Sequence, residues 1–213
     1  MPIDVKICGL MAEDAVAAAV AGGARFVGFV FFPPSPRSLT PERAADLTAA
    51  VPSGVTRVAL SVDADDGYLE SIVSGAGIDL LQLHGSEPPE RVAEIRSRFG
   101  LPVMKAVAIA GPDDIARARA YESVADRLLF DARPPEGATR PGGNALAFDW
   151  ELIRDETWHR PWMLAGGLHA GNVGEAVRTS GAAAVDVSSG VEDAPGLKNL
   201  SKIKAFLEAA ANA

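Results

Sequence analysis

The feature that most constrains this chain is a repeated alternation. Short apolar runs rich in β-branched residues recur along its 213 residues, separated by stretches rich in Ala, Glu and Arg. Eight such runs are visible, at 5–10, 25–31, 56–62, 79–85, 102–108, 127–132, 161–168 and 183–189. The intervening segments 11–23, 40–51, 88–100 and 111–124 carry helical periodicity. Thr40-Pro41-Glu42 and Pro112 with two following aspartates are helix-start signals, while Gly22, Gly23 and Gly100 sit where helices should end. Eight units in this length leave about 27 residues each, a spacing that implies parallel strands joined by crossover helices.

Eight is the count that closes a (β/α)8 TIM barrel, and a single α/β barrel domain over 1–213 is the expected fold. An open doubly wound sheet is the competing arrangement, but no G-x-G-x-x-G follows the first run. The Pro- and Gly-rich stretches at 33–36 and 133–143 read as loops inside the pattern rather than linkers.

In such a barrel the chemistry sits where strands end. Those ends offer Cys8, Arg37, Gln82 and His84, Lys105, Asp131 and Arg133, and Asp186 with Ser188 and Ser189. Side chains alternate along a strand, so Lys6 and Cys8 share a face, as do Gln82 and His84, and Asp186 and Ser188. Polar groups in apolar strands are costly unless paired, so their gathering at one rim suggests either a polar pocket or a hydrogen-bonded plug. Two glycine-bearing stretches, LAGGLHAGNV (164–173) and VDVSSGVED (185–193), end the seventh and eighth runs. Loops there commonly bind phosphate through bare backbone N–H groups, which makes Gly166, Gly167, Ser189 and Gly190 candidate phosphate ligands.

Composition removes several function classes. A net charge of −8 with mixed signs offers no basic face for nucleic acid, and no apolar run reaches a membrane-spanning length. One cysteine excludes an internal disulfide and a multi-cysteine metal site, and the three histidines lack ligand spacing, so no metal is expected. The start, MPIDVKICGL, has no charged-then-apolar leader pattern, and a cytoplasmic, reduced protein is expected. The acidic surface without an obvious apolar patch leans towards a monomer.

The motifs KICGL (6–10), GFVFFPPSPRSLT (28–40), LLQLHGSE (80–87), LLFDARPP (128–135), GGNALAFDW (142–150), LAGGL (164–168) and VDVSSGVE (185–192) occur in order over nearly the whole chain. Together they resemble the phosphoribosylanthranilate isomerase family of tryptophan biosynthesis. The resemblance implies a (β/α)8 enzyme that needs no cofactor or metal. The implied reaction is an Amadori rearrangement of N-(5-phosphoribosyl)anthranilate, a phosphosugar-anthranilate. It also implies Cys8 as general base, Asp131 as general acid, Arg37 as the grip on the anthranilate carboxylate, and a phosphate cradle around Gly167 and Ser189–Gly190. His84 and Asp186 are expected in support: the first as a hydrogen-bonded barrel residue, the second as an orienting group near the phosphate loop. One stretch departs from the family's commoner GGTG. Here it reads GGNA, with Asn144 and Ala145 in a presumed lid.

The chemistry sets two requirements. An acid working near neutrality must hold its proton well above the ~3.9 reference for Asp, and a thiolate base requires a thiol depressed below ~8.5. Against each role stands a plainer one. A lone cysteine on an apolar strand is usually a small core residue, Asp131 could simply pair with Arg133 or Lys105, and an arginine in a Pro-rich loop is usually solvated. A non-aromatic phosphosugar epimerase and a non-catalytic phosphate-binding barrel remain as rival functions.

Overall fold

The computed structural model describes residues 3–133, 142 and 147–213. Eight parallel strands close a barrel in the order β1 to β8. They are β1 (Asp4–Cys8), β2 (Phe26–Phe31), β3 (Thr56–Ser61), β4 (Leu80–Leu83), β5 (Val103–Ile109), β6 (Arg127–Ala132), β7 (Trp162–Leu164) and β8 (Ala184–Val187). Closure is made by β1 on β8, with Lys6 opposite Asp186 and Ile7 opposite Val187. The strands read as continuous apolar runs because both of their faces are buried, one inside the barrel and one under the helices.

Two apolar clusters reflect those faces. Phe26, Val58, Leu80, Met104, Leu129 and Met163 belong to the barrel interior, and the larger cluster packs the outer strand faces against the helical jacket. The jacket consists of α1 (Glu13–Ala21), α2 (Pro41–Ala49), α3 (Asp66–Gly75), α4 (Pro89–Phe99), α5 (Pro112–Arg119), α6 (Val173–Ser180) and α7 (Leu200–Ala211). The start signals act as expected: the Thr40 hydroxyl accepts a hydrogen bond from the Arg43 amide, and Pro112 opens α5 with the Asp114 carboxylate accepting from the Gly111 amide. Gly100 ends α4 at φ 65°, a left-handed conformation that glycine adopts without penalty.

The eightfold strand–helix repeat needs one correction. Among the described residues, the stretch between β6 and β7 contains only a 3₁₀ turn, Trp150–Ile153, and no α-helix. The other unexpected element is a small antiparallel hairpin of β9 (Glu192–Ala194) and β10 (Leu197–Lys198), inserted between β8 and α7. Asn144 and Ala145, the departure in the presumed lid, lie outside the described residues.

Candidate active site

Strand parity decides which polar groups meet at the C-terminal mouth. Lys6 and Cys8 face the barrel interior from β1, where Gly28 of β2 leaves room for both: a Cβ there would sit 3.0 Å from the Cys8 Sγ and 3.2 Å from the Lys6 Cε. Asp131 enters from β6 two residues beyond the interior Leu129, and Asp186 enters from β8 two beyond Ala184. These groups share one cavity of about 800 Å3, counting its open mouth, whose wall includes Cys8, Arg37, His84, Asp131 and Asp186. Gly166, Gly167, Ser188 and Ser189 form the side of that wall fed by β7 and β8.

Cys8 is 3% exposed, yet it faces the hollow rather than the helices. Its thiol is pushed up from the ordinary value. Burial is the largest cause, and the neighbouring Lys6 ammonium only partly offsets it. The depressed thiol expected from the chemistry is therefore not the resting state of this site. Lys6 is completely buried and bonds the Asp186 carboxylate at 3.0 Å. Burial alone would pull that lysine down, but Asp186 and Cys8 outweigh it and hold it above its usual value.

Asp131 has neither of the plain partners considered above. Arg133 pairs with Asp114, and Lys105 pairs with Glu87 at 2.6 Å. Lys105 lies between Met104 and Ala106, both interior, so it projects outward to Glu87, the Gly85 carbonyl and the face of Tyr121. It is not a rim residue of the cavity. The Asp131 Oδ1 accepts the Ala132 amide at 2.8 Å, and its Oδ2 lies 3.2 Å from the His84 Nε2. The His84 Nδ1 is 2.8 Å from the Gln82 side-chain amide nitrogen. With that amide donating, the imidazole carries its proton on Nε2 and presents it to Asp131. His84 thus sits where expected, as a hydrogen-bonded residue that also orients Asp131. Gly142 comes down on this pair: a Cβ there would lie 2.8 Å from both the Asp131 Oδ2 and the His84 Nε2.

Arg37 is not a solvated loop arginine. It is 4% exposed, and its stem passes over Gly9, where a Cβ would come within 2.5 Å of the Arg37 Cδ. Its Nε and Nη2 donate to the two carboxylate oxygens of Glu192 at 2.7 and 2.6 Å. Glu192 also accepts from the Lys198 Nζ at 2.7 Å. Burial would raise the Glu192 carboxyl, but the Arg37 hydrogen bond and the Lys198 charge win and hold it below the usual carboxylate value. Lys198 is lowered, chiefly by burial and despite Glu192.

The glycine loops divide by role. Gly166 and Gly167 adopt φ 89° and 63° on the cavity wall, and a Cβ on Gly166 would meet the Ala132 amide nitrogen at 2.7 Å. Gly190 lies behind the wall in the 3₁₀ turn Ser189–Val191, where a Cβ would collide with the Leu168 carbonyl oxygen at 1.9 Å. Its missing side chain lets the two loops cross. Sequence reasoning placed Lys6 on the face of Cys8 without giving it a role, and it overlooked Glu192 and Lys198. Glu192 carries no local signal because its partner Arg37 lies 155 residues away, and Lys198 acquires its contacts to Glu192 and Ser188 only once the hairpin forms. Among the described residues, no cluster of three or more His, Cys, Asp or Glu could hold a metal ion, and no helix is long and apolar enough to cross a membrane.

Comparison with known proteins agrees with this architecture. A model of the "N-(5'phosphoribosyl)anthranilate (PRA) isomerase" family matches residues 5–209. N-(5'-phosphoribosyl)anthranilate isomerase of Paramagnetospirillum magneticum is 58% identical over 210 residues, covering 99% of this chain and 98% of that protein. A crystal structure of a phosphoribosyl anthranilate isomerase in complex with reduced 1-(o-carboxyphenylamino)-1-deoxyribulose 5-phosphate superposes with a TM-score of 0.85 at 35% identity. That match covers 99% of this chain and 100% of the other. A structure of mutually generated monomers of the dimeric Thermotoga maritima enzyme gives a TM-score of 0.84 at 35% identity, with the same coverage. With the family's match spanning the closed barrel and every strand that feeds the cavity, this chain belongs to the N-(5'-phosphoribosyl)anthranilate isomerase family.

Proposed function

We propose that this chain converts N-(5-phosphoribosyl)anthranilate into 1-(2-carboxyphenylamino)-1-deoxyribulose 5-phosphate, with Asp131 as general acid and Cys8 as general base. The observation that carries this reading is that a thiol on β1 and a carboxyl on β6 open onto one cavity whose wall also holds a buried arginine and two glycine-bearing loops. Asp131 protonates the furanose ring oxygen as the C1–O bond breaks, and the nitrogen lone pair forms the C1=N iminium. Cys8 then removes the C2 proton. The released electron pair becomes a C1=C2 bond and neutralises the iminium nitrogen. The resulting enolamine tautomerises to the ketone: a proton adds at C1 and the C2 hydroxyl gives up its own. C2 is oxidised and C1 reduced within one molecule, so no external electron acceptor is required.

The raised Cys8 thiol fits this sequence when the base is assembled during turnover. Its proton passes to solvent through the open cavity mouth, and the thiolate that forms lies beside the fully buried Lys6 ammonium, which Asp186 holds in place. Arg37 is read as the anthranilate carboxylate's partner because a planar fork binds a carboxylate through two bonds. The Gly166–Gly167 and Ser189 segments are read as the phosphate seat, with Gly190 as the crossing point that lets Ser189 approach.

The test is a purified-enzyme assay that follows loss of substrate fluorescence. Cys8→Ala and Asp131→Asn should each slow turnover by ~10²-fold or more, the usual scale of a lost general acid or base. A near-wild-type rate in either variant removes that residue from the mechanism. An Arg37→Ala variant with unchanged KM would favour a phosphosugar epimerase, and failure to complement a tryptophan auxotroph would favour a binding barrel. We further propose a cytoplasmic monomer, in which the one thiol stays reduced. Among the described residues, Leu197 and Leu200 are the only large apolar side chains left exposed. A dimer in analytical ultracentrifugation would overturn the monomer.

A further inference from the structure

We propose that Glu192 is the positioning residue for Arg37. Through Lys198 it also ties that arginine to the Ser188–Ser189 turn, so that hairpin β9–β10 sets the spacing between the two anion grips of the cavity. The inference rests on the reading of Arg37 as the carboxylate partner.

The geometry is that of a clamp. Glu192 takes the side-on edge of the guanidinium, Nε and Nη2, at 2.7 and 2.6 Å. A guanidinium has five N–H donors in a fixed plane, so the end-on edge formed by Nη1 and the second Nη2 hydrogen is left for another carboxylate. Arg37 is part of the cavity wall, and this free edge is read as the one that meets a substrate carboxylate. Lys198 spans the other side, donating to Glu192 at 2.7 Å, to the Ser188 carbonyl at 2.9 Å and to the Ser188 hydroxyl at 3.3 Å. Lys202 donates to the Glu192 backbone carbonyl at 2.8 Å, which fixes the start of β9. Gly196, in the hairpin turn, presses on the loop before Arg37: a Cβ there would lie 2.8 Å from the Pro36 carbonyl oxygen.

Charge adds a second argument. Counted with Lys198 protonated, Arg37 and Lys198 bring two positive charges against one negative on Glu192, and all three side chains are buried; burial works against the Lys198 charge and Glu192 works for it. The cluster therefore keeps one positive charge at the mouth of a protein whose net charge is −8, and a substrate carboxylate would neutralise it. A chain of hydrogen bonds from one grip to the other limits how far each can drift. A substrate whose carboxylate and phosphate are held at a fixed separation gains from that preorganisation.

The experiment compares two ligands in the full-length protein. One is reduced 1-(o-carboxyphenylamino)-1-deoxyribulose 5-phosphate, and the other is the same molecule with hydrogen in place of the carboxyl. Calorimetry with Glu192→Gln should show the carboxylated ligand weakened ~10-fold or more, about the worth of one charge-assisted hydrogen bond, while the other ligand changes less than ~2-fold. Equal weakening of both ligands, no change in either, or tighter binding of the carboxylated one would overturn the proposal; the last would make Glu192 a competitor for Arg37. Lys198→Met supplies a second test if Glu192→Gln fails to fold. It should weaken both ligands alike, because the shared phosphate loses its anchored turn, and unchanged affinities would overturn the link to Ser188. Arg37→Ala separates this inference from the reading beneath it. If Arg37→Ala weakens both ligands equally, or neither, the carboxylate role of Arg37 falls; the expected result is a loss confined to the carboxylated ligand. If Arg37→Ala selectively weakens the carboxylated ligand and Glu192→Gln does not, only the positioning role falls.

Discussion

Cys8 shows why a residue's chemistry cannot be assigned from its type. Its thiol lies above the ordinary value because burial, helped by the Asp186 charge, outweighs the ammonium groups of Lys6 and Lys198. As a base it works only when ionised, so kcat/KM should rise with pH through a limb above the ~8.5 of a free thiol. A limb at or below that value would show that the resting site does depress the thiol, or that Cys8 is not the base. Replacing Lys6 by Gln removes the cation and leaves Asp186 unpaired beside the sulfur; both changes disfavour the thiolate, so the limb should move to higher pH. An unmoved limb would detach Lys6 from the base. Parity put Cys8 with Lys6 and Asp186 with Ser188 on shared strand faces, and the closed barrel turned those faces and Asp131 toward the cavity. The arginine was harder to read: Arg37 looks solvated in FFPPSPRS because its partner, Glu192, lies 155 residues downstream.

The elements that shape the mouth are the loops after β7 and β8. Their glycines act in different ways. Gly190→Ala puts a methyl into the Leu168 carbonyl, so it should cost ~1–3 kcal/mol by overpacking and raise KM by displacing Ser189. Gly23→Ala faces open space at φ 89°, so it should cost only the ~1–2 kcal/mol of a left-handed backbone and leave KM unchanged. Thermal denaturation with steady-state kinetics on both variants checks the pair. A silent Gly190→Ala would mean that the loop crossing is not rigid. The strands and their order were legible in the sequence because apolar runs and helical segments alternate at near-constant spacing. Hairpin β9–β10 was not, since EDAPGLK reads as an ordinary polar connection and its function depends on partners from other units.

Across the whole molecule, charge buried in ion pairs makes stability depend on pH. Glu192 and Asp114 stay below the usual carboxylate value: burial opposes this in both, and hydrogen bonds from Arg37 and from the Ala110 amide, with nearby cations, overcome it. A carboxyl depressed in the folded state stabilises above its unfolded pKa, so unfolding free energy should drop as pH falls below ~4. The raised Cys8 thiol acts at the other end. The unfolded chain releases that proton first, so stability should also decline as pH rises past ~8.5. Urea denaturation across this range checks both limbs, and a flat alkaline side in wild type that matches Cys8→Ala would remove the thiol from the account. Glu87→Gln should be costly at neutral pH, by ~3–5 kcal/mol, because it leaves Lys105 buried without its counter-charge. Urea midpoints within ~1 kcal/mol of wild type would show that the backbone carbonyls around Lys105 suffice.

The sequence by itself determined the barrel, the strand faces and the gathering of Cys8, Asp131, Asp186 and His84 at one rim, because a period of two and a regular spacing are local properties that a closed barrel converts directly into position. Only the tertiary structure decided how those groups are tuned. It buried Cys8 so that its thiol rose rather than fell, turned Lys105 outward, gave Arg37 a carboxylate partner from the far end of the chain, and put Gly190 behind the wall. Burial and long-range charge pairing depend on which segments meet when the barrel closes, and no window of neighbouring residues contains that information.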